Sequence, residues 1–133
     1  MGGNKKSKVV EIDSRESWEH YIIEATNKGC LVMVHFSAYW CMPSIAMNPF
    51  FEEMASTYQD VIFLKVDVDE VKEVASKMEI KAMPTFLLMS GRTPVDKAVG
   101  ANPNEIRKRL DHFIHQKLVL SPNHSTEQNL PEL

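Results

Sequence analysis

Hydrophobic and polar positions follow two periods along this chain, and the switches between them mark its elements. "KVVEI" (Lys8 to Ile12) has the length and β-branched content of a short strand. "DSRE" follows, with Asp13 placed as a helix cap and Glu16 three residues on to close a capping box. That helix runs to about Lys28 and puts Trp18, Tyr21, Ile22 and Ala25 on one face. "CLVMVHF" (Cys30 to Phe36) is almost unbrokenly apolar, as a strand covered on both faces must be, and belongs in the middle of a sheet. A helix is expected from about Met42 to Tyr58, where Pro49 lacks a backbone donor and should kink the helix rather than end it. "VIFLKVDV" reads as a second buried strand.

"DEVKEVASKMEI" then carries Val71, Val74, Ala75 and Met78 at helical spacing, and "PTFLLMS" with "VDKAVG" form two strands around Gly91, paired antiparallel. "NPNEIRKRLDHFIHQKL" closes the series, with Asn102 as cap, Pro103 in the first turn and Glu105 completing a capping box. Its apolar face is Ile106, Leu110, Phe113 and Ile114. The order βαβαβαββα requires an α/β fold: a mostly parallel sheet of about five strands, right-handed crossovers, and an antiparallel pair at one edge. About four helices flank it. Trp18 and the methionines at 33, 54 and 78 read as core, and Met89 is left unassigned.

Composition narrows the setting. A chain of 133 residues, 44% hydrophobic, builds one core and not two, so residues 8–118 are expected as the domain between a flexible segment 1–7 and a flexible tail 119–133. Lys and Arg number 15 against 18 Asp and Glu, which leaves no basic footprint for nucleic acid or a membrane surface. No apolar run approaches the ~20 residues that span a bilayer, and "MGGNKKSK" lacks the apolar stretch of a secretory signal, so a cytoplasmic protein is expected. Met1 and Gly2 raise N-myristoylation, but Lys6 stands where that motif wants Ser or Thr, and Ser7 comes one place late. Two cysteines, Cys30 and Cys41, make no disulfide framework and fit a reducing compartment.

The chemistry sits in "SAYWCMPSIAM", half of a C-x-x-C motif with Ser44 where the second cysteine would stand. A cysteine opening a helix faces unpaired backbone donors and the positive end of the dipole, and both favour the nucleophilic thiolate. The Ser44 hydroxyl, one turn along, is expected to donate a hydrogen bond to it but cannot attack a disulfide at neutral pH. Cys41 can therefore form a mixed disulfide, and release must come from another thiol. Cys30 cannot supply it. About six strand residues at ~3.3 Å each put it on the order of 20 Å away, while a bridge needs α-carbons within ~7 Å. Cys30 reads as a small apolar core or strand-end residue.

From "VMVHFSAYWCMPS", Pro49, "FLKVDVDE", "IKAMPTF" and "VGAN", in that order and spanning about Val9 to Lys117, the chain resembles the thioredoxins. It is closest to the h-type and their single-cysteine branch. The resemblance implies the thioredoxin fold and a cis peptide bond before Pro84, with that loop against Cys41 and the Met83 backbone placed to pair with an extended substrate. Trp40, Met42, Pro43 and Met83 would then ring the thiol. Two positions depart from the family pattern: Met42 replaces the usual glycine, and His35 replaces a buried aspartate that serves the second thiol. His35 either tunes Cys41 as a proton carrier or fills the cavity of the missing acid with one satisfied hydrogen bond, and Lys65 is either surface or its neighbour. His112 and His115 sit three apart but lack further ligands, so no metal is expected.

These features suggest a monothiol exchange protein, isomerase-like or deglutathionylating, acting on disulfide-containing or glutathionylated clients. It would hold no bound cofactor and would use glutathione only as co-substrate. A monomer is expected, with dimerisation through the exposed thiol left open. The rival reading is a client-binding module that grips partners through Trp40, Met42, Met83 and Pro84.

Overall fold

A computed structural model of the chain describes residues 7–120, which form one five-stranded sheet between two layers of helix. The elements run β1 (Val9–Ile12), α1 (Arg15–Lys28), β2 (Leu31–Ser37), α2 (Met42–Ala46), α3 (Asn48–Thr57), β3 (Ile62–Asp67), α4 (Lys72–Lys77), β4 (Thr85–Ser90), β5 (Thr93–Val99) and α5 (Pro103–Leu120). The spatial order is β1-β3-β2-β4-β5. β3 lies parallel to both β1 and β2, and β4 antiparallel to both β2 and β5.

The apolar run expected in the middle is in the middle. Every residue of β2 is buried, and its alternation feeds two cores. Val32, Val34 and Phe36 face one way, onto Trp18, Ile22 and Ala25 of α1 and Val74 of α4. Leu31 and Met33 face the other, onto Phe51 and Met54 of α3 and Ile106 and Leu110 of α5. A strand with both faces covered is apolar at nearly every position, His35 and Ser37 being its buried polar exceptions, which is why the sequence shows no two-residue alternation there. Met89, unassigned from the sequence, is buried in the first core, and Met78 and Cys30 pack against it half-buried.

Several boundaries differ from expectation for identifiable reasons. Ser14, not Asp13, caps α1: its extended backbone lets its hydroxyl accept from the Ser17 amide at 3.0 Å, while the Asp13 and Ser14 amides both donate to Ser17 Oγ at 3.2 Å. The box is thus Ser14–Ser17, one residue later than Asp13–Glu16. At α5, Asn102 does cap, accepting from the Glu105 amide at 3.2 Å, but Glu105 leaves the box half closed and pairs with Arg109 at 2.8 Å. The helix expected over 42–58 comes as two pieces jogged at Met47, because Pro49 has no amide to donate back to Ile45. α5 continues through 120, past the expected domain end at 118, and Ser7 is tied by a 2.7 Å hydrogen bond to the Glu52 carboxylate. The N-myristoylation question and most of the expected tail lie outside the described residues.

Candidate active site

The segment that leaves β2 delivers the reactive cysteine. Ala38 is buried, Tyr39 and Trp40 turn outward, and the Cys41 amide closes the turn by donating to the Ala38 carbonyl at 3.0 Å. Cys41 is then the extended N-cap of α2, its carbonyl accepting from the Ile45 amide at 3.1 Å. The sulfur does not cap the helix. Its thiol points across to the carbonyl oxygen of Met83 at 3.6 Å, in the loop just before β4. The Met83–Pro84 peptide bond is cis, and Pro84 is buried while Met83 is half-buried.

Ser44 lies one turn along from Cys41 as expected, but without the expected contact. It is fully buried on the inward side of α2, and its Oγ has no hydrogen-bond partner among the described residues, so the anticipated Ser44–Cys41 hydrogen bond is absent there. Its inward side is set by the helix itself: Ser44, Met47 and Phe51 form one stripe at spacings of three and four, and the latter two are anchored in the second core. The motif therefore half-exposes one thiol, and buries a hydroxyl that cannot act as a second at the position three residues on.

His35 is buried as fully as Ser44. It is fully buried in β2, stacked on Phe86 with ring centroids 4.5 Å apart and met edge-on by Phe51 at 5.2 Å. Both ring nitrogens lack partners among the described residues, which corrects the expectation of one satisfied hydrogen bond. Burial foremost, and the Lys65 ammonium on the paired position of β3, push its pKa down to about 3. The ring is uncharged at neutral pH and packs as an aromatic. Lys65 itself is partly exposed and reaches the Glu11 carboxylate at 3.6 Å, so it is both a surface residue and the neighbour of His35.

Around the thiol the surface is apolar and open. Tyr39 is 76% exposed, Trp40 56% and Met42 70%, with Pro43 exposed beside them. Trp40 is fixed by a 2.7 Å hydrogen bond from Nε1 to the carboxylate of Asp69. Asp67, ending β3, holds that loop by accepting the amides of Asp69 and Glu70 at 2.8 and 3.2 Å. Tyr39 and Asp69 were not singled out from the sequence. An Asp at a strand end followed by two more acids is a turn signal, but nothing in the spacing says which carboxylate meets the indole. Cys30 sits at the opposite end of β2, before Leu31, and both cysteines are free thiols. His112 and His115 join no metal-binding group among the described residues, and no described helix is long and apolar enough to cross a membrane.

The thioredoxin family pattern matches residues 9–112. Thioredoxin-like protein CXXS1 of Arabidopsis thaliana is 55% identical over 114 residues, covering 86% of this chain and 97% of that protein. The protein of the same name in Oryza sativa subsp. japonica is 48% identical over 120 residues, 90% of each. Among solved structures, a cysteine-to-serine mutant of a poplar thioredoxin h matches with a TM-score of 0.83 and 35% identity over 90% of each chain. A half-buried thiol on a helix N-cap, set against the loop before β4 in a β1-β3-β2-β4-β5 sheet, is thus found in a chain that belongs to the thioredoxin family of thiol–disulfide exchange proteins.

Proposed function

We propose that this chain is a monothiol exchange protein that works through a Cys41 mixed disulfide and is poor at dithiol reduction. The observation that carries the reading is the disposition of Cys41 and Ser44: one sulfur half-exposed against the Met83 carbonyl, the other position buried and occupied by a hydroxyl. In the forward step the Cys41 thiolate attacks one sulfur of a client disulfide. A Cys41–client bond forms, the client's S–S bond breaks, and its second sulfur leaves as a thiolate. A serine hydroxyl is too weak an acid to reverse this from within, so the client's freed thiol or glutathione, as co-substrate, must attack the mixed disulfide.

When the client's own thiol returns at a different sulfur, the net result is isomerisation. When the first disulfide is a glutathionylated client, Cys41 takes the glutathionyl group and a second glutathione removes it as glutathione disulfide. The Met83 backbone, in a half-buried residue beside Cys41, suits an extended client segment, which would lie across the exposed Trp40 and Met42, while Pro84 is buried beneath. His35 supports the floor of this site by packing, and its neutral ring is not poised for proton transfer near pH 7.

The open apolar surface of Tyr39, Trp40 and Met42 favours a second reading, client binding without turnover. Reactivation of scrambled ribonuclease in glutathione buffer separates the two, with wild type beside Cys41→Ser and an insulin-reduction control. Reactivation that needs Cys41, with little insulin reduction, supports monothiol exchange. Equal behaviour of the two proteins supports the binding module.

A further inference from the structure

Met42 presents its side chain to solvent directly beside the reactive cysteine, and the helix it opens explains why. It is the first residue of α2, immediately after the N-cap Cys41, so no preceding turn of helix lies under it for a long side chain to lean back on. It also stands two residues before the buried Ser44, about 200° round the helix from the inward stripe. The side chain is left 70% exposed, next to Trp40 at 56%. The chain's other methionines are placed differently. Met33, Met47 and Met54 are buried in the second core and Met89 in the first, while Met78 and Met83 are half-buried. Met1 lies outside the described residues. Among the described residues Met42 is thus the one exposed methionine, and a small oxidant in water meets it without any opening of the fold.

We propose that Met42 is an oxidation site, converted by hydrogen peroxide to methionine sulfoxide, and that the sulfoxide loosens the grip of the surface around Cys41 on apolar client segments. The thioether sulfur attacks one peroxide oxygen. An S–O bond forms, the O–O bond breaks, and the departing hydroxide takes the proton from the transferred oxygen to give water. Met42 is oxidised by two electrons and the peroxide is reduced. A flexible apolar side chain becomes a polar, chiral one. A client that covers it must then strip water from the sulfoxide oxygen. Cys41 also reacts with peroxide, but a small thiol held on it as a mixed disulfide blocks that sulfur while Met42 stays open. The loss of grip rests on the client surface read above in Trp40 and Met42, whereas the oxidation itself uses nothing of the exchange reading.

The test uses the full-length Cys41→Ser protein, so that peroxide meets no reactive thiol at the site and client binding is read without turnover, whichever way the exchange reading falls. Peptide mapping after timed exposure to hydrogen peroxide should find sulfoxide at Met42 about tenfold sooner than at any other described methionine, because buried ones react only through local opening. The oxidised protein should then bind fluorescently labelled scrambled ribonuclease about fivefold more weakly, a loss on the scale of a partly buried methionine side chain. Cys41→Ser/Met42→Leu should show no peroxide-dependent change from its own starting affinity, and Cys41→Ser/Met42→Gln should bind as the oxidised protein does. Sulfoxide forming as fast at Met78 or Met83, or binding that peroxide leaves unchanged or weakens equally in the Met42→Leu variant, overturns the proposal.

Discussion

His35 lies flat against Phe86, ring centroids 4.5 Å apart and planes 16° from parallel, with neither imidazole nitrogen partnered among the described residues. Burial lowers its pKa from 6.5 to about 3, with Lys65 adding to the shift. The unfolded chain therefore takes up this proton as pH falls below about 6.5, whereas the folded chain resists until about 3. The folded state should lose stability through that window, by up to about 1.4 kcal/mol per pH unit from this one group, and lose nothing to it above pH 7. His35→Leu should be at least as stable at pH 7.5, since two unpartnered nitrogens leave the core, and should show a flatter acid limb. Urea midpoints of the two proteins across pH 3–7.5 measure it. Parallel profiles would mean that the imidazole does have a partner.

Ser44 occupies the position from which a second thiol would complete the motif, buried on the stripe it shares with Met47 and Phe51. Ser44→Cys is close to isosteric and should fold. It should form an intramolecular disulfide with Cys41, which thiol titration after mild oxidation detects as the loss of two thiols. Insulin reduction should rise by about tenfold or more, because resolution becomes intramolecular. An oxidised Ser44→Cys protein that keeps both thiols free would show that burial at this position, and not the choice of serine, is what makes the site monothiol.

The cap of α1 separates what the sequence disclosed from what it hid. "IDSRES" contains three side chains able to cap, and pattern alone placed the start at Asp13. The register is decided by Trp18, Ile22 and Ala25, which must reach the first core and so fix Ser14 as the last extended residue. Ser14→Ala should cost about 1 kcal/mol in thermal or urea unfolding, and Asp13→Ala much less. The reverse ranking would restore the earlier start.

The element order, the central place of β2, the antiparallel β4–β5 pair and the approach of Met83 to Cys41 were legible, because each rests on hydrophobic period or on a motif of several residues; the antiparallel pairing of β4 with β2, which makes the sheet half rather than mostly parallel, was not. Ser44, His35 and Asp69 show where that legibility ends. Whether the Ser44 hydroxyl meets the thiol depends on the rotation of α2, which is anchored through Phe51 far along the chain. Whether His35 finds a partner depends on Phe51 and Phe86, brought in by α3 and β4. These are contacts between elements, and no local spacing encodes them.

Asp69 is the least foreseeable member of the site and the most directly tested. Its carboxylate accepts from Trp40 Nε1 at 2.7 Å and so holds the indole over the edge of the reactive surface. Both groups are exposed, so the bond should contribute about 1 kcal/mol or less to stability. Its effect should fall on the client instead. Asp69→Ala should leave the alkylation rate of Cys41 by a small neutral reagent within about twofold, because the sulfur's contact is with Met83, while raising the client concentration needed for half-maximal exchange by several-fold as the indole loses its fixed orientation. Trp40 fluorescence anisotropy, read in a Trp18→Phe background, should fall in the same variant. An unchanged client dependence together with freed indole motion would show that clients do not use Trp40, and would move the recognition surface to Met42 and the Met83 backbone.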